Sequence, residues 1–365
     1  QNMSVAPRGS CGATDAKSER RAMNKKELCL LSIGENIDRL VTLDMRGYGV
    51  PRILYQGARK LCGEPVCMHT AKELHRLVQP GDYLFLMTGF VFEPHGKGEL
   101  DGLTGTALVA RALLQICDVK PVIFCEELIA PAARAVLQSA GINVYTSLEE
   151  LERYPHAAAV IGISTDAEKA ERQWRAAFEA KKPRLLFSIE KPGRNCKGVY
   201  HQGTAIDVSD LCAKVDGLFF ACQKEGIPTF AIGDLGNEIG LGAIEETIRR
   251  YIPMGDQCVC GCGDSLCVET KADHLCVATT SDWACYGVTA ALAALTGNLD
   301  LIPTAGLEEK VCECANRNDL IDGSGWVIPS IDGIALEFNK MLVEMLREVV
   351  AYPLKASEQY GRMYD

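Results

Sequence analysis

DYLFLMTGF at residues 82–90, TGTALVARALLQIC at residues 104–117 and VKPVIFC at residues 119–125 together decide the fold. The first and third segments are short apolar runs, as in strands that are buried on both faces of a sheet. The middle segment is apolar almost all round, which is typical of a helix packed tightly against a sheet. A strand, a helix and a strand in succession predict a parallel strand pair joined by a crossover helix.

The same alternation continues along the chain and predicts a mostly parallel sheet with helices on both faces. Further strands are predicted at residues 157–163, 184–189, 228–232 and 275–279. Helices are predicted twice within residues 25–61, and then at residues 131–140, 167–181, 208–225, 283–295 and 333–350. We see no internal repeat and no clear linker. We therefore expect one large α/β domain over residues 25–350, with an N-terminal tail at residues 1–24 and a C-terminal tail at residues 351–365.

The composition excludes several classes of function. Of the 365 residues, 38 are basic and 48 are acidic, which gives a net charge of −10 and argues against binding to nucleic acid. No run of eighteen apolar residues is present, so we expect no membrane span. Many of the 17 cysteines lie inside apolar runs, as small buried side chains do in a reducing compartment. We expect a cytoplasmic protein that acts on a small molecule, and the sequence leaves a homo-oligomer open.

The predicted strands are followed by loops of unusual composition. In open α/β sheets the ligand binds at the carboxyl ends of the strands. The four loops that qualify follow Phe90, Ile189, Ile232 and Thr279. We therefore expect the functional site to be assembled from these four loops.

The first loop, GELDGLTG at residues 98–105, opens a helix. Its glycines and the helix N-terminus suit an anion, whereas Glu99 and Asp101 suit a divalent cation. The simpler alternative is that Asp101 or Thr104 only caps the helix.

The second loop begins with EKPGR at residues 190–194. Arg194 is suited to hold a substrate carboxylate through two parallel hydrogen bonds, which a lysine cannot do as well. The alternative is a solvated turn with local ion pairs.

The third loop is GDLGNEIGLG at residues 233–242. It has neither the P-loop lysine nor the dinucleotide spacing, so we expect no nucleotide cofactor. Asp234 and Glu238 suit metal coordination or proton transfer, and Asn237 offers an amide. In the fourth loop, Ser281 either holds a substrate oxygen or caps the following helix.

Four cysteines cluster at residues 258, 260, 262 and 267. The spacing matches neither paired C-x-x-C zinc motifs nor a ferredoxin motif. Alternation of the first three suits one face of a strand, so we favour structural thiols over a zinc or iron–sulfur site. The histidines form no H-E-x-x-H pattern, and we expect His69, His75 and His201 at the surface.

Several of these motifs, taken in order, resemble the D-glutamate cyclase family over about residues 80–300. They are TGF (88–90), ELDG (99–102), IEKPGR (189–194), GVYH (198–201), GIP (226–228), GDLGNEIGLG (233–242) and SDW (281–283). The segment at 233–242 is the most specific of them. Lys191 replaces the family's usual arginine, Leu100 a common threonine and Asp282 a common asparagine.

The resemblance implies a hydro-lyase that cyclises D-glutamate to 5-oxo-D-proline with loss of water. An anionic substrate would be repelled by the acidic loops unless Mg²⁺ or Mn²⁺ reversed the local charge. We therefore expect a divalent metal held by Asp101, Asp234 and Glu238, and proton transfer by Glu190, Glu238 or Asp234. The implied substrate-binding residues are Gly89, Arg194, Tyr200, Asn237 and Ser281.

Three other functions stay open at the level of sequence. The chain could bind an amino-acid-like anion without turning it over. It could be a protein built around a cysteine-ligated metal. It could also be a nucleotide-dependent enzyme, although the missing P-loop lysine argues against this.

Overall fold

The computed structural model describes residues 23–360. Its strands are β1 (Tyr83–Thr88), β2 (Val91–Phe92), β3 (Lys97–Gly98), β4 (Lys120–Glu126), β5 (Asn143–Tyr145), β6 (Ala157–Ile163), β7 (Leu185–Ile189), β8 (Thr229–Gly233) and β9 (His274–Val277). Its helices are α1 (Lys25–Val41), α2 (Val50–Cys62), α3 (Val66–Leu77), α4 (Leu103–Ile116), α5 (Ala130–Ser139), α6 (Leu148–Arg153), α7 (Ala167–Ala180), α8 (Asp216–Lys224), α9 (Glu245–Tyr251), α10 (Ser281–Thr296), α11 (Ala305–Arg317) and α12 (Leu336–Tyr360).

Seven of the strands form one parallel sheet in the order β5-β6-β4-β1-β7-β8-β9. The prediction of a single α/β domain with helices on both faces of a mostly parallel sheet is confirmed. In this sheet β4, β5 and β6 lie on one side of β1, and β7, β8 and β9 lie on the other side, while β2 and β3 form a separate pair. The order in which the chain adds strands to the sheet therefore reverses between β1 and β7. Ligands bind at such a switch point in open α/β sheets.

Aromatic side chains fill the middle of the sheet. Phe85 on β1 packs edge-on against Phe124 on β4, with ring centroids 4.9 Å apart. Phe187 on β7 lies 5.7 Å from Phe230 on β8. All four rings are fully buried. Strands with helices on both faces can be apolar throughout, and this explains the continuous apolar runs in the sequence.

Helix α10 is the central helix of the fold. Fourteen of its sixteen residues are buried, and it contacts α1, α3, α4 and α12. Thr280 caps it by accepting a hydrogen bond from the Trp283 N–H, so the cap residue is Thr280 and not Ser281. Small residues at the contacts let the neighbouring helices approach closely. At Gly105 of α4 the first turn of α10 lies so near that no β-carbon would fit.

The structure corrects the prediction of one long helix over residues 208–225. A 3₁₀ turn at Ser209–Leu211 precedes α8, which begins only at Asp216. Between the 3₁₀ turn and α8 the backbone makes no helical hydrogen bonds at residues 213 and 214. The Ala213 N–H donates to Glu126 instead, and the Lys214 N–H donates to the Ser164 carbonyl.

The ends of the domain differ from the prediction as well. The last helix starts at Leu336 and continues to Tyr360 instead of ending near Val350. At the other end, Asn24 and Glu27 form a capping box that starts α1 at Lys25. The predicted N-terminal tail lies outside the described residues apart from its last two, and so do residues 361–365 of the predicted C-terminal tail.

Within residues 23–360, no helix combines the length and the apolar character that crossing a membrane requires. The cysteines in this part of the chain are all free thiols.

We predict that Gly105→Ala lowers the free energy of unfolding by about 1–3 kcal/mol, the usual cost of overpacking a core. The added β-carbon would lie 2.5 Å from Asp282 Oδ1 and 2.9 Å from Cys285 Cβ. Urea unfolding measures the change. Gly306→Ala is the matched control, because Gly306 also lies in a first helical turn but has open space around it. It should leave stability unchanged or raise it by up to about 1 kcal/mol. Equal effects of the two substitutions would contradict this packing.

Candidate active site

The four predicted loops do meet at the carboxyl end of the sheet, next to the reversal between β1 and β7. Their acidic side chains form a cluster that a sixth carboxylate from near α12 completes. We call this cluster the acidic cup; it consists of Glu99, Asp101, Glu190, Asp234, Glu238 and Asp332. All are buried except Asp332, whose side chain is 13% exposed.

Asp101 and Asp282 hold the N-termini of two helices in a reciprocal manner. Asp101 precedes α4, but its carboxylate accepts hydrogen bonds from the Ser281 and Asp282 N–H groups that open α10, at 2.9 and 2.7 Å. Asp282 in turn accepts from Gly102 and Gly105 at the start of α4, at 2.9 and 2.7 Å. The prediction that Asp101 or Thr104 caps α4 is therefore wrong, because Gly102 occupies the cap position and Asp282 of the other helix supplies the carboxylate. This exchange directs two positive helix ends at the acidic cup.

Glu190 is fixed immediately after β7. Its backbone has a left-handed φ of 46°, which is uncommon for a residue other than glycine. The Ser281 hydroxyl donates to Glu190 Oε2 at 2.5 Å. Gly102 lies against it so closely that a β-carbon there would be 2.1 Å from Glu190 Cβ. The sequence prediction that Glu190 and Ser281 belong to the same site agrees with this geometry.

Glu238 shapes the loop at residues 233–242 from inside. Its Oε1 accepts hydrogen bonds from the Asp234 and Leu235 N–H groups at 3.2 and 2.9 Å, and its Oε2 accepts from Gly236 at 2.8 Å. These bonds occupy much of the carboxylate's accepting capacity. Glu238 is therefore well placed to position Asp234.

Arg46 is the residue that sequence reasoning missed. It lies between α1 and α2, outside the strand–helix alternation. Its guanidinium donates to Asp234 at 3.1 Å, to Asp332 at 2.8 Å and to the Thr279 carbonyl at 2.5 Å. The turn around it is held by Asp44, which accepts from the Gly47 and Gly49 N–H groups. The glycines at 47 and 49 marked this turn in the sequence, but nothing connected it to the distant acidic loops.

Electrostatics in the acidic cup are dominated by burial and by like charges. Burial, and then Glu238 and Asp101, raise the pKa of Glu190 well above its ordinary value. Burial, and then Glu190 and Asp332, do the same to the pKa of Asp234, against the opposing effect of Arg46. The pKa of Asp101 rises to about 7, through burial and Asp332, although three backbone N–H groups oppose the shift.

Glu99 completes this coupled system. Burial, and then Asp332 and Asp101, raise the pKa of Glu99 well above its ordinary value. The pKa of Arg46 rises in spite of its burial, because Asp234 and Asp332 stabilise the cation. The carboxylates thus share too few positive charges to be ionised together without a further cation.

The residues of the acidic cup fit a divalent metal ion. Oxygens of Asp101, Asp234 and Asp332 lie within 4.8 Å of one another, and so do oxygens of Glu190, Asp234 and Glu238. Asp234 belongs to both groups, and its buried Oδ1 has no hydrogen-bond partner among the described residues. Carboxylate oxygens are the ligands that Mg²⁺ and Mn²⁺ prefer. The predicted ligand set differs from the first group in one member, because Asp332 takes the place expected for Glu238.

A cavity of about 480 Å³ leads to this cluster. Its lining includes Arg46 and Asp332, which connect it to the acidic cup, together with Phe92, Gln202 and Leu235. The volume is within the range of small-molecule sites.

Two predicted substrate-binding residues, Arg194 and Tyr200, lie apart from the acidic cup. Arg194 is 44% exposed and pairs with Glu269 at 2.5 Å. Tyr200 is buried, with its hydroxyl donating to Asp216. Both line a separate hollow beside α8. They follow the strand β7 closely in sequence, but the chain first runs beside the loop at residues 233–242, where Pro192 pairs with Glu238, and reaches Arg194 and Tyr200 only after that.

The remaining predicted contacts are indirect. Gly89 directs its carbonyl oxygen at the Lys191 ammonium, at 3.0 Å. Lys191 is fully buried and forms an ion pair with Glu126. Asn237 donates to the His201 carbonyl at 2.9 Å, although its own side-chain oxygen is buried without a partner in the described structure. Lys191 and Gly89 therefore bond to each other, and Lys191 also pairs with Glu126.

The cysteine-rich segment is also different from the prediction. Residues 257–270 form no strand, so the alternation of Cys258, Cys260 and Cys262 does not mark a strand face. Their sulfur atoms converge instead on His201, which is fully buried and not at the surface. Cys267 is buried apart from this group.

Comparisons with known proteins show which family the sequence matches. A sequence profile of the family described as "D-glutamate cyclase-like, C-terminal" matches residues 37–348, a range that includes Arg46 and Asp332. The human protein "D-glutamate cyclase, mitochondrial" is 38% identical over 76 residues. Those residues are 20% of this chain and 12% of the human protein, so the match spans only a small part of that protein's length.

We predict that Lys191→Met lowers the free energy of unfolding by about 3–5 kcal/mol, because Glu126 is left as an unpaired buried charge. Chemical denaturation measures the loss. The double variant E126Q/K191M is the control, since it removes both charges and keeps an acceptor for the Ala213 N–H. It should recover most of the stability. A Lys191→Met protein as stable as the wild type would contradict this structural role.

Proposed function

The chain belongs to the D-glutamate cyclase-like family, and from that premise we propose that it is a hydro-lyase converting D-glutamate to 5-oxo-D-proline and water. The observation that carries the proposal is the convergence of Asp101, Glu190 and Asp234 from three loops at the carboxyl end of the sheet, where Asp234 also pairs with Arg46. A buried group of carboxylates whose pKa values are pushed upward is typical of sites that transfer protons.

The proposed reaction forms one bond and breaks one. The α-amino nitrogen of the substrate attacks its own γ-carboxyl carbon and forms the C–N bond of the ring. One γ-carboxyl oxygen then leaves. The ammonium group loses two protons in total, and the departing oxygen gains two and leaves as water. No oxidant or second substrate is needed. Because the reaction is intramolecular, holding the folded conformer of glutamate supplies much of the rate enhancement.

We assign the proton transfer to Glu190. Burial and the neighbouring carboxylates raise its pKa, and a pKa shifted in this way is typical of carboxyl groups that act as general acids and bases. In the proposed reaction it takes the two protons from the nitrogen one after the other and passes each of them to the leaving oxygen. The Ser281 hydroxyl holds Glu190 Oε2 and fixes the direction of the carboxyl group. Glu238, with both oxygens engaged by backbone N–H groups, keeps Asp234 in place.

Binding of the anionic substrate follows from charge. Asp101, Asp234 and Asp332 are the residues that would hold Mg²⁺ or Mn²⁺. The metal, when bound, acts as a Lewis acid on a carboxyl oxygen and lowers the negative charge of the site. Arg46 lines the cavity and lies between Asp234 and Asp332, where we propose that its guanidinium binds a substrate carboxylate. The two helix N-termini add partial positive charge behind it.

The free thiols support a reducing compartment, and we propose that the protein acts in the cytoplasm.

The proposed activity is tested by incubating the protein with D-glutamate and measuring 5-oxoproline by chiral chromatography. We expect turnover that is lost after treatment with a chelator and restored by Mg²⁺ or Mn²⁺. Glu190→Gln should lower kcat by about 100-fold or more, because the group that moves the protons is gone. Full activity after verified metal removal would contradict the role of the metal. Tight binding of D-glutamate without turnover would instead support a non-catalytic binding protein.

The two arginines provide a second, matched test. We expect Arg46→Gln to raise the KM for D-glutamate by about 10-fold or more, since a charge-assisted hydrogen bond to the substrate is lost. Arg194→Gln should leave kcat and KM unchanged, because Arg194 lies in another hollow. Steady-state kinetics of both variants measure the difference. The opposite result, with Arg194 needed and Arg46 dispensable, would overturn this assignment of the site.

A further inference from the structure

A second group of metal-ligating side chains lies apart from the acidic cup. Cys258 Sγ is 3.2 Å from Cys260 Sγ and 3.3 Å from Cys262 Sγ. His201 Nε2 is 3.3 Å from Cys260 Sγ and 3.9 Å from Cys262 Sγ. All four ligand atoms lie within 4.8 Å of one another. Three sulfur atoms and one imidazole nitrogen therefore surround a single point.

These separations match the edges of one small tetrahedron. Around Zn²⁺, bond lengths of about 2.3 Å to sulfur and about 2.0 Å to nitrogen place the ligand atoms about 3.5–3.8 Å apart. The observed distances of 3.2–3.9 Å scatter around that range. An iron–sulfur cluster with two or more irons spreads its ligands around a larger body. The space between these four side chains has the size of one ion.

Hydrophobic packing does not account for the arrangement. Cys260 is exposed and Cys262 is half-buried, so burial of apolar sulfur is not what draws the three thiols together. His201 is fully buried and turns its Nε2 toward them. A buried imidazole against three thiols, in a chain with no disulfide among its described cysteines, is the ligand set of a structural zinc site.

The local backbone is built to bring the thiols together. Gly261 and Gly263 adopt left-handed φ angles of 82° and 80°, which other residues rarely do. The Cys258 N–H donates to the Asp264 carbonyl at 2.9 Å and closes the loop. Asn195, which is fully buried, directs its Nδ2 at Cys262 Sγ from 3.4 Å. An N–H donor of this kind stabilises a thiolate ligand.

We propose that His201, Cys258, Cys260 and Cys262 bind one structural zinc ion. The four protein ligands leave no open position for a substrate, so the ion would act as a cross-link. It would join the irregular segment after β7 to the irregular segment at residues 253–271. Both segments support the loop at residues 233–242, because Asn237 donates to the His201 carbonyl and Leu241 pairs with Lys271. The zinc ion would therefore hold the outer side of the acidic cup without taking part in the reaction.

The test uses the full chain, purified under reducing conditions from zinc-supplemented medium and then desalted. We expect about one bound zinc ion per chain by elemental analysis. Replacing it with Co²⁺ should give a thiolate-to-cobalt charge-transfer band and the intense visible bands of tetrahedral cobalt. A metal bound to the carboxylates of the acidic cup produces no thiolate band. The spectrum therefore separates the two sites and does not depend on catalytic activity.

Cys260→Ser is the variant of choice, because Cys260 is exposed and its loss disturbs the core least. It should reduce zinc retention by about 10-fold or more, as removal of metal-site groups does. Cys196→Ser is the matched control, since Cys196 is an exposed neighbour that contacts Asp264 and lies outside the ligand group. It should retain zinc fully. If Cys260→Ser fails to fold, the cobalt spectrum of the wild type still decides.

Three outcomes would overturn the proposal. The reduced wild-type chain could bind neither Zn²⁺ nor Co²⁺ through thiolates. It could carry iron and inorganic sulfide in place of zinc. It could also show the same zinc content in Cys260→Ser as in the wild type.

Discussion

The rest of the site depends on the burial of several carboxyl groups beside one another at the carboxyl end of the sheet. Moving one carboxylate out of water costs several kcal/mol even after relaxation, and neighbouring like charges add to that cost. Arg46 forms ion pairs with two of these carboxylates, Asp234 and Asp332. The raised pKa values of Glu99, Asp101 and Glu190 are the direct consequence. Such a group persists because protons or a metal ion supply the missing positive charge.

The architecture delivers these groups to one place. The parallel register places the ends of β1, β7 and β8 side by side, so the loops that follow them must meet. The exchange of carboxylates between Asp101 and Asp282 locks the first turns of α4 and α10 together. Gly102 lies so close to Glu190, and Gly105 so close to α10, that neither position has room for a β-carbon. The contacts that pack α4 against α10 in the core are therefore also the contacts that position the site.

Much of this could be predicted from the sequence, and the failures have physical causes. Apolar runs marked the central strands, and the rule for strand ends selected Asp101, Glu190, Asp234 and Ser281, which lie close together in the structure. Arg46 and Asp332 come from irregular segments far away in sequence, so no local pattern links them to the acidic loops. Arg194 was assigned because it follows Glu190 closely, but it lines a separate hollow beside α8. A spacing of two residues in the cysteine segment suggested a strand, whereas left-handed glycines fold it into a loop.

The central claim is that the acidic cup binds a divalent cation and a glutamate-derived ligand together. The most direct measurement is a crystal structure with Mn²⁺ and 5-oxo-D-proline, in which anomalous scattering locates the metal. This account predicts a manganese peak in contact with Asp101 and Asp234, with the ligand's carboxylate beside Arg46. A manganese ion and ligand bound elsewhere, with the six carboxylates contacting neither, would contradict it.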